Sequence, residues 1–548
     1  MNHPVLDIIP ASNRTAKNDR NGDSSDLEAG NFKHTDVDNA TDETRTNNKL
    51  FLDMLELTSV VPKRNHPCLK KVLDDGRKVC VCNSTYCDNV PTVELTEPYQ
   101  ACIISSSLRR FGFLNKQFAK FAYRRRTNTI KNEILIKVNS QQIYQKIIGF
   151  GGTFSLAYTL GNVPIGSNLF STAVYSYDEF VDDFNLRGFN LTEEDFELKI
   201  PYVKDALRLS NDKLKLFATP WSPPQWMLES NHDRQLRNDT KYYTAYAKYL
   251  LRKQKTLRFL EEYSKNNISF WGVTVQNRPE SEEKRQHYMY YTPEIQREFV
   301  NNYLGPTLKN STVGKNVAII GFNDLLELLP KWIKGLFGDN FGKADDYIKG
   351  IGVHGYRFNG AHPEYKFISQ AVEKYPEKFV LSTEGSNQLS KTSLGNWTND
   401  ELSLAHDIIQ NLVHGMSGWT DSNLCLDLEG GPRLVEAAYD TPIIVNATCD
   451  CFYKQPIYYV IAHFSRYITP GSVRIHTLVR NASDDIQSVA FITPSKQKVL
   501  VVLNQANKQY RPKIDDMSIR GKSLKILLEP YSLTTVIWND ITKSRLKH

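Results

Sequence analysis

The stretch KFVLSTEG, Lys378–Gly385, is a short apolar run that ends on polar residues and a glycine. A Val/Leu/Phe-rich run of this length without alternation reads as a strand buried on both faces. Outward from it, the same signature recurs in KIIGFGG (Lys146–Gly152), KLKLFATP (Lys213–Pro220), ISFWGVTV (Ile268–Val275), NVAIIGF (Asn316–Phe322), IKGIGVHGY (Ile348–Tyr356) and GMSGWTD (Gly415–Asp421). Helix-like patterns lie between them, over Tyr242–Tyr263 and over Thr292–Leu308, the latter opening on Pro293 and Glu294 as helix starts do. Repeated βα units predict a closed barrel or a doubly wound sheet. No glycine-rich phosphate-binding turn follows the first strand, which favours the (β/α)8 barrel. After about Pro470 the texture changes to short strand signals with polar turns, SVAFITP, KVLVVLNQ, SLKILLEP and LTTVIWN, which predict a C-terminal β-sandwich.

Composition sets the outer bounds. The chain has 548 residues, 40% of them hydrophobic and 11% aromatic, enough for one large or two modest domains. A net charge of +7 is mild at this length, and no nucleic-acid-binding motif accompanies it. One basic cluster, Arg124, Arg125 and Arg126 with Arg109, Arg110, Lys116 and Lys120 nearby, reads as a solvated face or as a patch for an anionic membrane or protein surface. Residues 1–65 differ in kind: Met1 to Asn48 is rich in Asn, Asp, Thr and Ser and poor in apolar side chains, a composition that cannot offset the cost of ordering. Neither a basic start nor an uninterrupted apolar core of a signal peptide is seen there, since Leu50–Val61 is broken by Asp53 and Glu56. No window approaches the roughly 20 apolar residues of a membrane span.

The cysteines point the other way. Cys68, Cys80, Cys82 and Cys87 crowd together at the start of the folded part. They form either a zinc site or two small disulfide loops; no histidine follows at ligand spacing, which favours disulfides and hence the secretory route. The abundance of glycosylation triplets, among them Asn83-Ser84-Thr85, Asn190-Leu191-Thr192, Asn310-Ser311-Thr312 and Asn396-Trp397-Thr398, agrees. For chemistry, polar residues at the C-terminal ends of barrel strands are the first place to look. Glu384, ending KFVLSTEG, is a candidate nucleophile, set against the plainer reading of a surface glutamate.

Several long words now carry a resemblance: VCNSTYCD, GFGGTFS, ATPWSPPQW, YTPEIQREF, SGWTDSNLCLDLEGGP and FYKQPIYYVIAHFSRYI, in this order from Cys68 to about Asn539. The chain resembles the glucocerebrosidase (glucosylceramidase) family. The resemblance implies a (β/α)8 barrel over 148–470, a C-terminal sandwich over 471–540, and N-terminal disulfide loops and strands over 66–147 that join the β-domain. It implies pairing of Cys68 with Cys80 and of Cys82 with Cys87. Glu384 falls on the family's nucleophile, and Trp221, Asn277, His354, Tyr356 and Asp421 match residues lining its sugar pocket. It further implies hydrolysis of glucosylceramide to glucose and ceramide in the lysosome or secretory route, without a metal or other cofactor, with an activator protein or an anionic membrane surface as partner.

Departures from the pattern bear directly on function. The family carries Asn-Glu-Pro at the end of its fourth strand, and that glutamate is its acid/base; here the text is Asn277-Arg278-Pro279. A retaining glycosidase needs two carboxyl groups about 5–5.5 Å apart. An arginine, with a pKa above about 12, gives up no proton at working pH. It is expected to pair with Glu384 instead. Glu280, two positions on, is the nearest substitute carboxylate. Around the pocket, Leu169 replaces an acidic residue, Asn162 an arginine, Gly355 and Ser422 aromatic residues, and Arg433 an asparagine. Finally, GFGG and the VPIG strand are separated by too few residues for a parallel crossover, which normally takes a dozen or more. Either the barrel lacks one βα unit or a coding segment is missing, and Leu156–Phe170 should be its weakest part, with the first helix absent or reduced to a turn. Three readings follow: a catalytically impaired or inactive family member, retained in one variant as a carbohydrate- or lipid-binding protein; an active β-glucosidase with a substitute acid/base; or the product of a decaying gene.

Overall fold

The computed structural model describes residues 66–541, apart from 108–114, 125–132, 153–157, 230–233, 252–257, 281–288, 339–343, 358–362, 390–393, 396–398 and 435–437. The N-terminal tail, Arg109, Arg110, Arg125 and Arg126 therefore lie outside the described residues. No helix among the described residues is long and apolar enough to cross a membrane.

Eight parallel strands close into a barrel: β1 (Gly149–Gly152), β2 (Leu160–Ile165), β3 (Lys215–Pro220), β4 (Gly272–Thr274), β5 (Ala318–Leu325), β6 (Ile348–Arg357), β7 (Phe379–Leu389) and β8 (Gly418–Asp421). Closure is made by β8 on β1, with Gly418 opposite Gly149 and Trp419 opposite Phe150. Leu160, Phe217, Ile320 and Leu381 pack as one buried layer inside. The expected loss of a βα unit is corrected here: all eight strands are present. The short link is nevertheless real, for only residues 153–159 separate β1 from β2. Register explains how so short a link suffices. Gly151 pairs with Leu160 and Gly152 with Gly161, so β2 starts level with the end of β1 and the chain need not travel back along the strand. The cost is a two-residue seam on that edge, whereas β2 pairs with β3 over six residues, Leu160–Ile165.

That seam depends on a glycine. A Cβ on Gly151 would stand 1.6 Å from the Leu160 carbonyl oxygen, a backbone atom that cannot move aside.

The helical layer follows the sequence in part. Thr292 caps the helix at Pro293–Phe299, its hydroxyl accepting from the Ile295 N–H (3.2 Å), and the helix runs on through a wider turn to Lys309. The single helix expected over Tyr242–Tyr263 is instead two, Thr240–Leu250 and Phe259–Lys265, because Leu251 turns extended (φ −162°) and places its side chain in the core. Three further helices bear on the site and its support: α1 (Leu329–Phe337), α2 (Asn399–Val413) and α3 (Pro456–Ser465).

Two sheets complete the fold. A ten-stranded antiparallel-rich sheet combines the C-terminal strands with Gln100–Ser107, Asn115–Lys120, Ala122–Tyr123 and Leu135–Lys146 from before the barrel, as expected. Within it, strand Ser532–Asn539 pairs with Gln497–Asn504 on one side and Gln100–Ser107 on the other. His463 on α3 ties barrel to sandwich, its ring nitrogens meeting Thr535 Oγ1 (2.8 Å) and Ser106 Oγ (3.0 Å). A second sheet of five strands joins the N-terminal hairpin Leu69–Val72/Lys78–Asn83 to Cys451–Lys454, Ile443–Asn446 and Cys425–Asp427. Cys68–Cys80 and Cys82–Cys87 are bonded, with Cα separations of 5.3 and 4.5 Å. A third bridge, Cys449–Cys451, had not been read from the sequence. The fully buried Lys454 ammonium pairs with Asp88 (3.1 Å), which also accepts from Tyr459 (2.8 Å), pinning the disulfide loops to the chain that follows the barrel.

Gly151→Ala is expected to destabilise the protein by roughly 2–4 kcal/mol, the scale of overpacking against atoms that cannot yield. A urea midpoint measured by fluorescence checks this, and an unchanged midpoint would contradict the seam.

Candidate active site

The C-terminal ends of the strands converge on a cleft of ≈ 380 Å³, counted out to open solvent. Its walls are Asn162, Pro164, Asn168, Leu169, Phe170, Trp221, Tyr356, Glu384, Ser422 and Tyr439. Of the residues expected there, Glu384, Trp221 and Tyr356 line it directly.

Glu384 reaches the cleft through a break in strand periodicity. Along β7, Leu381 faces the barrel interior and the Thr383 hydroxyl donates inward to Asn323 Oδ1 (2.6 Å). Strict alternation would then aim residue 384 at the helices. Register shifts against β6, between Val353 and His354, and against β8, between Ser382 and Gly385, re-aim it into the mouth. There the carboxylate is 4% exposed and accepts a hydrogen bond from the Tyr356 hydroxyl (2.5 Å). Burial pushes its pKa up to about 7, against the opposing pull of the Tyr356 hydrogen bond and of Arg278. His354 Nδ1 lies 3.7 Å from Glu384 Oε2. Burial first, and the Arg278 charge second, hold the imidazole well below its ordinary pKa, so this contact is not an ion pair.

Arg278 leaves the end of β4 on a left-handed backbone (φ +43°), its N–H donating to the Asn323 carbonyl (3.0 Å). Its Nε lies 3.9 Å from Asp324 Oδ1, a carboxylate at the end of β5 that the sequence reading had not included. Its charge also acts on Glu384, His354 and Tyr356. Asp324 is almost fully buried and burial raises its pKa to about 6; its two oxygens accept from the N–H groups of Leu325 (2.8 Å) and Glu280 (2.9 Å). It sits at a left-handed kink, Phe322–Asn323, where β5 slips in register against β6. A carboxylate two residues after the apolar NVAIIGF run, behind Asn323, was the signal that could have found it.

Glu280 does not enter the cleft. Its carboxylate accepts from Trp332 Nε1 (2.7 Å) on α1 and pairs with Lys331. Asn277 is fully buried and its Oδ1 accepts from Asn323 (3.2 Å), while its Nδ2 has no hydrogen-bond partner. Asp421 ends β8 with an unpartnered Oδ2, and burial together with nearby Asp440 lifts its pKa well above the usual range. Both ring nitrogens of His354 and Asn162 Oδ1 are likewise unpartnered.

Two of the expected pocket changes are corrected. A Cβ on Gly355 would meet Ser382 Oγ (3.8 Å) and Asn411 Nδ2 (3.9 Å) of α2, on the helix side of the sheet, so a side chain there would not stack in the cleft. Arg433 is exposed and does not line the cleft. Leu169, Asn162 and Ser422 do line it. Of the basic cluster, Lys116 donates to the Thr92 carbonyl (2.6 Å), Lys120 pairs with Glu97 and Arg124 with Asp515. Each described member is thus engaged within the chain.

Comparison with known proteins places this geometry. Residues 134–468 match the glycosyl hydrolase family 30 TIM-barrel domain, and residues 471–536 its beta sandwich domain. The chain is 35% identical over 527 residues to putative glucosylceramidase 3 of Caenorhabditis elegans, covering 89% of this chain and 98% of the relative. It is 32% identical over 512 residues to the lysosomal acid glucosylceramidase of Mus musculus, covering 86% and 95% respectively. Among solved structures, SrfJ from Salmonella typhimurium superposes with a TM-score of 0.71 at 27% identity, covering 80% of this chain and all of that one. Over nearly its whole folded length, the chain belongs to glycosyl hydrolase family 30, among its glucosylceramidase-like members.

Proposed function

We propose that this chain is a β-glucoside-directed glycoside hydrolase that keeps its attacking carboxylate, Glu384, and has lost its proton-transfer group, so that turnover is impaired. The observation that carries this reading is Arg278 at the end of β4, with Asp324 beside it and its charge acting on Glu384. Cleavage of a glycosidic bond by retention needs one carboxyl group to attack and a second to protonate the leaving oxygen and later deprotonate water. A guanidinium holds its proton through both steps. Losing acid/base assistance costs roughly 10²–10⁴-fold.

Neither nearby carboxyl group is well placed to substitute. Glu280 is held on α1 by Trp332 and Lys331. Asp324 is 1% exposed and spends both oxygens on backbone N–H groups, which suits a support for Arg278 better than a donor to a leaving group. Binding is better preserved than chemistry. Asn277 Nδ2, Asp421 Oδ2 and the His354 nitrogens are buried and without protein partners, as polar atoms reserved for sugar hydroxyls would be. Trp221 supplies an apolar wall, and Tyr356 orients Glu384. The names of the relatives point to glucosylceramide as the substrate and to the lysosome as the compartment, and the three disulfides suit that route.

Two outcomes test the reading. Arg278→Glu is expected to raise hydrolysis of an alkyl β-glucoside by roughly 10–10²-fold, short of full recovery because Leu169 and Ser422 still shape the cleft. A variant no faster than the wild type would show that residue 278 does not limit the chemistry. The second outcome concerns pH. Glu384 attacks only when ionised, and its pKa is about 7. Wild-type turnover of an activated aryl β-glucoside should therefore rise through neutral pH, with no falling alkaline limb from a titrating acid. A bell-shaped profile centred in the acid range would refute it.

A further inference from the structure

The cleft is chemically lopsided. At one end Tyr356 donates to Glu384, and Ser422 lies on the adjoining strand end. At the other, Leu169 and Trp221, each 5% exposed, pack together with Phe170 against them. An aromatic wall connects the two ends: Phe170 meets Tyr439 edge to face at 5.7 Å, and Tyr439 meets Tyr356 at 6.5 Å. Leu169 is fixed in this place, since its carbonyl accepts from the Leu434 N–H (2.7 Å). Asn168, its polar neighbour, has Oδ1 already engaged with the Phe170 N–H (2.9 Å) and Ser171 Oγ (3.2 Å).

A pyranoside bound for attack must put its anomeric carbon at Glu384. With the ring lying along this wall, its opposite edge, which carries the C4 and C6 substituents, faces Leu169 and Trp221. A hydroxyl pressed against those side chains loses water and gains no partner, whereas a methylene or methyl group gains contact. We infer that the cleft selects a pyranoside whose edge remote from the anomeric carbon is poor in hydroxyls, a 4- or 6-deoxy sugar, with Leu169 as the specificity-determining residue. This rests on the cleft being the sugar site, as proposed above, but not on whether the chain turns sugar over.

Binding therefore separates the two claims. Titration of the wild-type protein with methyl β-glucoside, methyl 6-deoxy-β-glucoside and methyl 4-deoxy-β-glucoside, followed by ligand-observed NMR, gives three affinities without any catalysis. At least one deoxy sugar is expected to bind roughly 10–10²-fold tighter than the parent, the range over which an apolar pocket discriminates against an added hydroxyl. In Leu169→Asp, and in the milder Leu169→Asn, that preference should shrink or reverse. Equal or tighter binding of the parent glucoside by the wild type would overturn the inference, as would binding of none of the three. The same holds if both folded variants keep the wild-type preference. An impaired or a normal hydrolysis rate leaves these outcomes unaffected.

Discussion

A parallel barrel is stable only when every strand is paired on both edges, and here that condition rests on a seam of two residue pairs. Gly151 and Gly152 must lie level with Leu160 and Gly161 for so short a link to join neighbouring parallel strands. The absence of a Cβ at Gly151 lets the two backbones close. Everything functional depends on that closure. It brings the ends of β4, β5, β7 and β8 to one mouth, and so sets Arg278, Asp324 and Glu384 within one electrostatic neighbourhood.

Within that mouth, burial and a fixed cation compete. Water is largely excluded from Glu384 and Asp324, which favours their neutral forms, while Arg278 favours their charged forms. Burial prevails at both carboxyl groups, whose pKa values stand at about 7 and about 6. A site with a second carboxylate in place of Arg278 could pass a proton between its members. A guanidinium compensates charge but carries no proton to the leaving oxygen. On the proposed reading the chemistry is limited at proton transfer, not at attack, and the Tyr356 hydroxyl donates to Glu384 as an orienting group.

Much of this was legible before any coordinates. Seven strand words and the polar end Glu384 stood out, because buried parallel strands write themselves as continuous apolar runs and polar strand ends are exceptional within them; the disulfide pairs came from the family resemblance. What stayed hidden was local backbone geometry. The register shifts that turn Glu384 inward leave no mark in composition, and neither does the stagger that rescues the first crossover. Gly355 illustrates the same limit: its place beside His354 and Tyr356 suggested the pocket, yet the shift before His354 turns its Cβ direction toward α2. Asp324 was readable in principle, as a carboxylate following NVAIIGF, but its partnership with Arg278 is a contact between β4 and β5 ends that spacing alone does not reveal. The helix break at Leu251 was hidden for a different reason, since a buried leucine fits a helical pattern as well as it fits a core-facing turn.

The central claim, a working nucleophile without its proton-transfer partner, is tested most directly by external rescue. Azide needs no general base to attack a glycosyl-enzyme, so it should restore the second step while leaving the first unchanged. With a dinitrophenyl β-glucoside, whose leaving group needs no protonation, added azide is predicted to accelerate turnover by roughly 10–10²-fold and to yield β-glucosyl azide. In Glu384→Gln the same conditions should yield none. Turnover of the wild type on unactivated glucosides at rates usual for active enzymes, with no response to azide, would contradict the account.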